Sequence, residues 1–207
     1  MAPPTPPDAA LVDRLRRGER AAFRDLYARF AQPTFAFLVR LGGRREGAED
    51  LHQEVWLAVA THATRLDPDT DLAAWIFTIA RNRFLSARRH AAADAAAPAS
   101  DPAALDARGA GPPASDDPGC RDLERALASL PEIHRQVLLL AGIEGLDAKQ
   151  VAGVLAISHD AARQRLARAR AALAEALAGA DETVSTASTA STASTASTAS
   201  TDRKAIP

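Results

Sequence analysis

Apolar residues recur at helical spacing over two stretches of the chain and lose that spacing between them. Leu11 and Leu15 begin a short amphipathic helix that stops at Gly18. A second helix carries Phe23, Leu26, Tyr27 and Phe30, and Phe35, Leu38, Val39 and Leu41 continue its pattern to Gly42–Gly43. The spacing predicts a third helix from about Glu46 to His62, a loop from Arg65 to Asp69, and a fourth helix from about Asp71 to Arg89. From residue 91 to 119 alanine, proline, glycine and aspartate alternate without period, as in a flexible linker. Helical spacing returns over 121–178, punctuated by Pro131, Gly142, Gly145 and a turn at Ala156–Ile157–Ser158.

The tail holds five complete Ser-Thr-Ala triplets from Ser185, a period of three with small side chains that buries no face. The expected fold is therefore all-α. Two small, separate helical domains at 9–90 and 121–178 are tethered by a linker at 91–120, with disordered ends at 1–8 and 179–207.

Composition sharpens this. Alanine, leucine, arginine and glutamate favour helix, and aromatics are scarce. The net charge of −1 hides an uneven distribution. Residues 1–90 carry 14 Lys+Arg and 11 Asp+Glu, the linker 1 and 5, and 121–178 carry 8 and 7. Two mildly basic units around an acidic connector suit a protein that holds DNA while docked on something larger.

Cys120 is the only cysteine, which leaves no disulfide framework and no cysteine-based zinc site. No apolar run approaches the ~20 residues that span a bilayer. Met1 to Asp8 lacks the charged and apolar regions of a secretory signal, so a reduced, cytoplasmic protein is expected, without membrane insertion.

In the second stretch Asp147 can N-cap a helix burying Val151, Ala152 and Leu155. Ser158 caps the next, with Ala162, Leu166 and Ala169 inward and His159, Arg163, Gln164, Arg165 and Arg168 on outer or flanking faces. Arginine forks onto guanine and glutamine onto adenine, so this pair suits a helix-turn-helix with its reader in the major groove. A solvated basic face fits the pattern alone about as well. Ala156 sits where such turns favour glycine, and a positive φ there costs about 1 kcal/mol. Upstream, Leu123, Leu127 and Leu130, then Pro131 in a first turn, then Ile133, Val137 and Leu140, supply an apolar platform.

The third helix has two unlike faces. Leu51, Val55, Ala58 and Val59 point inward, with Trp56 at the core edge. Asp50, Gln53, Glu54 and Leu57 lie opposite at i, i+3, i+4 and i+7, either a docking surface for a basic partner or an ordinary solvated face. On the fourth helix Leu72, Trp75, Ile76 and Ile79 point inward, while Thr78, Arg81, Asn82, Arg88 and Arg89 share the other side. Arginines grip phosphates and asparagine reads an exposed base edge.

Catalysis finds little support. His52, Glu54 and His62 are the only clustered acid–base or metal candidates, and His52 and Glu54 diverge on their helix. There is no glycine-rich phosphate loop and no nucleophile constellation, so no cofactor or metal is expected. A helix-turn-helix regulator binding duplex DNA by itself is the alternative to a docked initiation factor.

These residues resemble a known family. Gly18 to Tyr27, Ala48 to Leu57 and Ala74 to Asn82 resemble region 2 of sigma-70 superfamily factors of the extracytoplasmic-function type. Leu130 to Leu140, Glu144 to Leu146, Val151–Ala152 and Ile157 to Arg170 resemble region 4, in the same order. The resemblance implies a non-enzymatic initiation factor that carries RNA polymerase core to specific promoters and assists their melting.

Asp50, Gln53, Glu54 and Leu57 then fall where the family docks on the beta-prime clamp helices of RNA polymerase core. Thr78, Arg81, Asn82, Arg88 and Arg89 fall where it handles the minus-ten region of promoter DNA. Ser158, His159, Arg163, Gln164, Arg165 and Arg168 fall on the helix that reads the minus-thirty-five element. The resemblance also implies a contact with the beta flap, an RNA-exit-channel path for the linker, and an anti-sigma factor as partner. The chain departs from the common pattern at Ser86, Ala148–Lys149 and Asp160 to Ala162.

Overall fold

The computed structural model describes residues 8–42, 45–95, 118–143 and 145–193, and among them there is no strand. α1 (Ala9–Arg16) ends at Gly18, whose φ of +73° only a residue without Cβ adopts easily. α2 runs unbroken over Arg20–Gly42 although Pro33, inside it, has no N–H for the carbonyl four residues back. α3 (Arg45–His62) passes through a 3₁₀ turn at Ala63–Arg65 into the loop before α4 (Leu72–Ala95). Asp71 caps α4 by accepting the Ala74 N–H at 2.9 Å.

These elements close one apolar core, in which Leu26, Leu38, Val55, Val59, Leu72 and Ile76 are buried. Phe37 and Phe77 meet edge to face at its centre, 5.4 Å between centroids and 79° between planes. The inward face of α4 differs from the expected one. Phe77, Ala80 and Phe84 are buried beside Leu72 and Ile76, whereas Trp75 and Ile79 are only partly buried. The reason is a second neighbour. α4 packs against α3 on one side and α7 on another, so its apolar surface spans more than one stripe.

α5 (Pro118–Ser129), α6 (Glu132–Leu138) with a π-helical continuation at Leu139–Ile143, α7 (Ala148–Leu155) and α8 (His159–Ala193) form the second unit. Leu127, Leu130, Val137, Leu140, Val151 and Leu155 fill it. Leu123 and Ile133, expected in that platform, are instead 40% and 44% exposed. Pro131 stands at the N-cap of α6, just outside its first turn. Arg135 ties the end of α5, donating to the carbonyls of Leu127 (2.9 Å), Ala128 (2.6 Å) and Leu130 (3.0 Å). It also reaches the Leu41 carbonyl of α2 at 3.4 Å.

The two units are in contact, not apart. Gln150 completes the capping box of α7 with Asp147, then donates to Asp71 at 2.6 Å, so the caps of α4 and α7 share one amide. Arg40 and Glu124 approach to 3.9 Å across the same seam. Exposed polar contacts of this kind contribute about 0–1 kcal/mol each, beside the packing of α4 on α7 and the apolar core that continues across the seam.

Residues 91–95 continue α4, where the alanine-rich end propagates an existing helix, and 118–120 open α5; 96–117 lie outside the described residues. α8 is described as far as Ala193, through the first three Ser-Thr-Ala triplets. Residues 1–7 and 194–207 lie outside the description.

Ala156 closes α7 at φ 54°, ψ 47°, a left-handed residue with a Cβ, as its place in the turn required. Ala156→Gly is therefore expected to raise stability by roughly 0.5–1 kcal/mol, strain relief outweighing the added freedom of the unfolded chain. A higher urea midpoint at unchanged slope would register it.

Candidate nucleic-acid and polymerase interface

α3 presents the first candidate surface. Val55 and Val59 anchor it in the core, and this turns Asp50, Gln53, Glu54 and Leu57 to solvent. Leu57 is 71% exposed, an apolar side chain standing in an otherwise polar face. Glu54 has one loose partner, Arg83 of α4 at 3.7 Å, with both side chains about half exposed. Behind this face an aromatic group holds α3 on α2. Trp56, 7% exposed, meets Tyr27 at 4.7 Å and Phe23 at 6.0 Å between centroids.

The His52 Nε2 lies 2.9 Å from the Ala31 carbonyl and 2.8 Å from the Trp56 indole nitrogen. One nitrogen cannot donate to the first while accepting from the second, so the two bonds alternate with the tautomer. Burial pushes the His52 imidazole below its ordinary pKa, and the Ala31 carbonyl only partly offsets this. His52 is thus a packing residue, neutral and turned from Glu54.

α4 presents the second surface, and here the structure adds what the sequence did not show. Asn82 and Arg89 are exposed, while the Thr78 hydroxyl is tied to the Ala74 carbonyl at 2.7 Å. Arg81 and Arg88, two helical turns apart, are both engaged by α6. Arg81 Nε donates to Gln136 Oε1 at 2.9 Å, and Arg88 forms an ion pair with Glu132. Gln136, only 4% exposed, in turn donates to Glu132 at 2.8 Å. Burial first, then the like charge of Arg165, pushes the Arg81 guanidinium below its usual range. Burial, then Arg88, does the same to Arg135. Arg81 and Arg135 nonetheless remain cations at neutral pH.

Glu132 and Gln136 escaped sequence reasoning, as did the second role of Arg135. The i, i+4 polar pair was legible on α6, but nothing in the chain links it to arginines some fifty residues earlier.

The third surface is α8. Ser158 caps it, its hydroxyl accepting from the Ala161 N–H at 3.2 Å. Ala162 and Ala169 are buried and let α7 cross closely, so His159, Arg163, Gln164 and Arg168 point to solvent and Arg165 is half-buried. The αL turn at Ala156 sets the angle between the two helices.

The described geometry coincides with matches to known families. Residues 26–93 match the family described as Sigma-70 region 2, and residues 120–173 match Sigma-70, region 4. RNA polymerase sigma factor CarQ of Myxococcus xanthus is 36% identical over 174 residues, spanning 80% of this chain and 95% of that protein. The chain belongs to the sigma-70 family, extracytoplasmic-function type.

ECF RNA polymerase sigma factor SigF of Caulobacter vibrioides is 33% identical, spanning 83% of this chain and 94% of its own. Among solved structures, the sigma factor RpoE from Bartonella quintana, crystallised with the anti-sigma factor NepR, superposes with a TM-score of 0.67. It is 24% identical, with 75% of this chain and 96% of that one covered, and shares the fold. CnrH in complex with the cytosolic domain of CnrY gives 0.63 at 24% identity over 83% and 97% of the two chains. This sigma factor is accordingly a promoter-directing transcription initiation factor built of two sigma domains. Among the described residues no helix is long and apolar enough to cross a membrane.

Proposed function

We propose that this sigma factor docks on RNA polymerase core through Asp50, Gln53, Glu54 and Leu57, engages the minus-ten region through α4, and reads the minus-thirty-five element through α8. The observation that carries the reading is the exposed Leu57 set among acidic and amide side chains on α3. An apolar anchor inside a charged surface suits a basic partner: charge guides the approach and Leu57 is desolvated on contact.

On α4, Thr78, Arg81, Asn82, Arg88 and Arg89 combine phosphate-gripping cations with an amide for a base edge, and so assist melting. On α8, Ser158, His159, Arg163, Gln164, Arg165 and Arg168 enter the major groove. The beta flap is the further contact of the second domain. The factor acts in the cytoplasm as a binding protein, without catalysis, cofactor or metal of its own, and without entering a membrane. The complex of the RpoE neighbour with the anti-sigma factor NepR supports an anti-sigma partner for this chain as well.

The test is run-off transcription with core polymerase on fragmented genomic DNA. Discrete transcripts that appear only with the protein are expected, and their starts give the promoter sequence. Transcripts identical with and without it would overturn the reading.

A further inference from the structure

We propose that His52 is a positioning residue for the polymerase-docking face: bonded to α2 and to Trp56, it fixes the rotation of α3 about its own axis and so aims Gln53, Glu54 and Leu57. The inference rests on the assignment of that face to core binding. What it adds is a half-buried residue behind the face that sets how well the face is aimed.

The sequence places the two kinds of residue side by side. His52 precedes Gln53 and Trp56 precedes Leu57, so each outward side chain follows an inward ring about 100° round the helix. Apolar burial of Ala48, Val55 and Val59 holds α3 on the core without direction, and a small rotation changes it little. With side chains reaching about 5–6 Å from the axis, a turn of about 20° carries the end of Leu57 roughly 2 Å sideways. A binding constellation needs its side chains held to about 0.5 Å.

Two polar bonds and a set of ring edges remove that freedom. The His52 Nε2 lies 2.9 Å from the Ala31 carbonyl of α2 and 2.8 Å from the Trp56 indole nitrogen, one turn along α3. Phe35 of α2 meets the imidazole at 5.5 Å between centroids, and Tyr27 meets Trp56 at 4.7 Å. The carbonyl taken by His52 lies beside a gap in the α2 ladder. Pro33 gives no N–H to the Arg29 carbonyl, and the Thr34 hydroxyl donates to the Phe30 carbonyl at 2.6 Å. His52 therefore joins α3 to α2 next to the proline, where the helix has fewest bonds of its own.

The bonding can be separated from the filling of space. A glutamine side chain can donate its amide N–H to the Ala31 carbonyl while its oxygen accepts from the Trp56 indole. Leucine and phenylalanine fill the same site and do neither.

The experiment measures the affinity of the full chain for purified core polymerase, beside circular dichroism and proton NMR of the indole N–H groups. The chain has two tryptophans, so Trp56→Phe identifies the Trp56 signal. His52→Leu is expected to weaken core binding about tenfold, as for a face correctly aimed about one-tenth of the time. Helical content should be unchanged, and the Trp56 indole proton should move upfield as its bond is lost. Relative to that variant, His52→Gln should recover most of the affinity and return the indole signal toward its original position.

If the leucine variant melts early, His52→Phe keeps a ring against Phe35 and should show the same loss of affinity. Full affinity in the leucine and phenylalanine variants, or a glutamine variant as weak as they are, overturns the positioning role. Asp50→Lys with Glu54→Lys is read in parallel. Core binding by that double variant sinks the docking face and the inference with it, whereas its loss without a His52 effect sinks the inference alone.

Discussion

Asp50→Lys combined with Glu54→Lys abolishes co-purification with core RNA polymerase while the protein stays folded. Both side chains are exposed, and the bond lost among the described residues is the 3.7 Å pair of Glu54 with Arg83. Such a pair contributes at most about 1 kcal/mol, so helical content and melting should move little. Against a basic partner, two attractions become two repulsions. The expected loss is about 2–4 kcal/mol of binding, roughly 30- to 1,000-fold in affinity. Pull-down with purified core, set beside circular dichroism of the same preparation, separates docking from folding. A folded variant retained by core would show that the face carrying Leu57 is not the docking surface.

The second large effect lies in the core. Phe77→Ala removes a ring that is almost wholly buried and meets Phe37 edge to face. Such truncations cost about 3–5 kcal/mol, the lost transfer energy plus the cavity left behind. That is a large part of the 5–15 kcal/mol typical of a domain, so α4 should lose its fixed position at growth temperature. Urea unfolding followed by circular dichroism measures it. A loss below about 1 kcal/mol would mean that this ring does not organise the first domain. Phe77 is also the residue that sequence reasoning misplaced, since Trp75 and Ile79 were expected in its stead.

The polar signals at helix ends were legible because each is local. Asp147, Ser158 and the strained Ala156 act within a few residues of their own position, and the structure finds each in the expected role. The inward stripe of α3 was legible for a related reason. One partner surface, the core, dictates one stripe, and the remaining side must carry Asp50, Gln53, Glu54 and Leu57. α4 broke that rule because it has neighbours on more than one side. Leu123 and Ile133 broke it in the opposite sense, apolar by pattern yet exposed among the described residues.

The sequence by itself determined the all-α class, the order of the helices, their caps, and which residue types face outward on α3 and α8. These follow from spacing and local hydrogen bonding, both properties of a few consecutive residues. Only the tertiary structure decided that the two domains touch, that Gln150 joins the caps of α4 and α7, and that Glu132 and Gln136 hold Arg88 and Arg81. Those contacts join residues about forty to eighty positions apart. A polar side chain carries no mark of its distant partner, and its pairing is set by where whole helices come to rest.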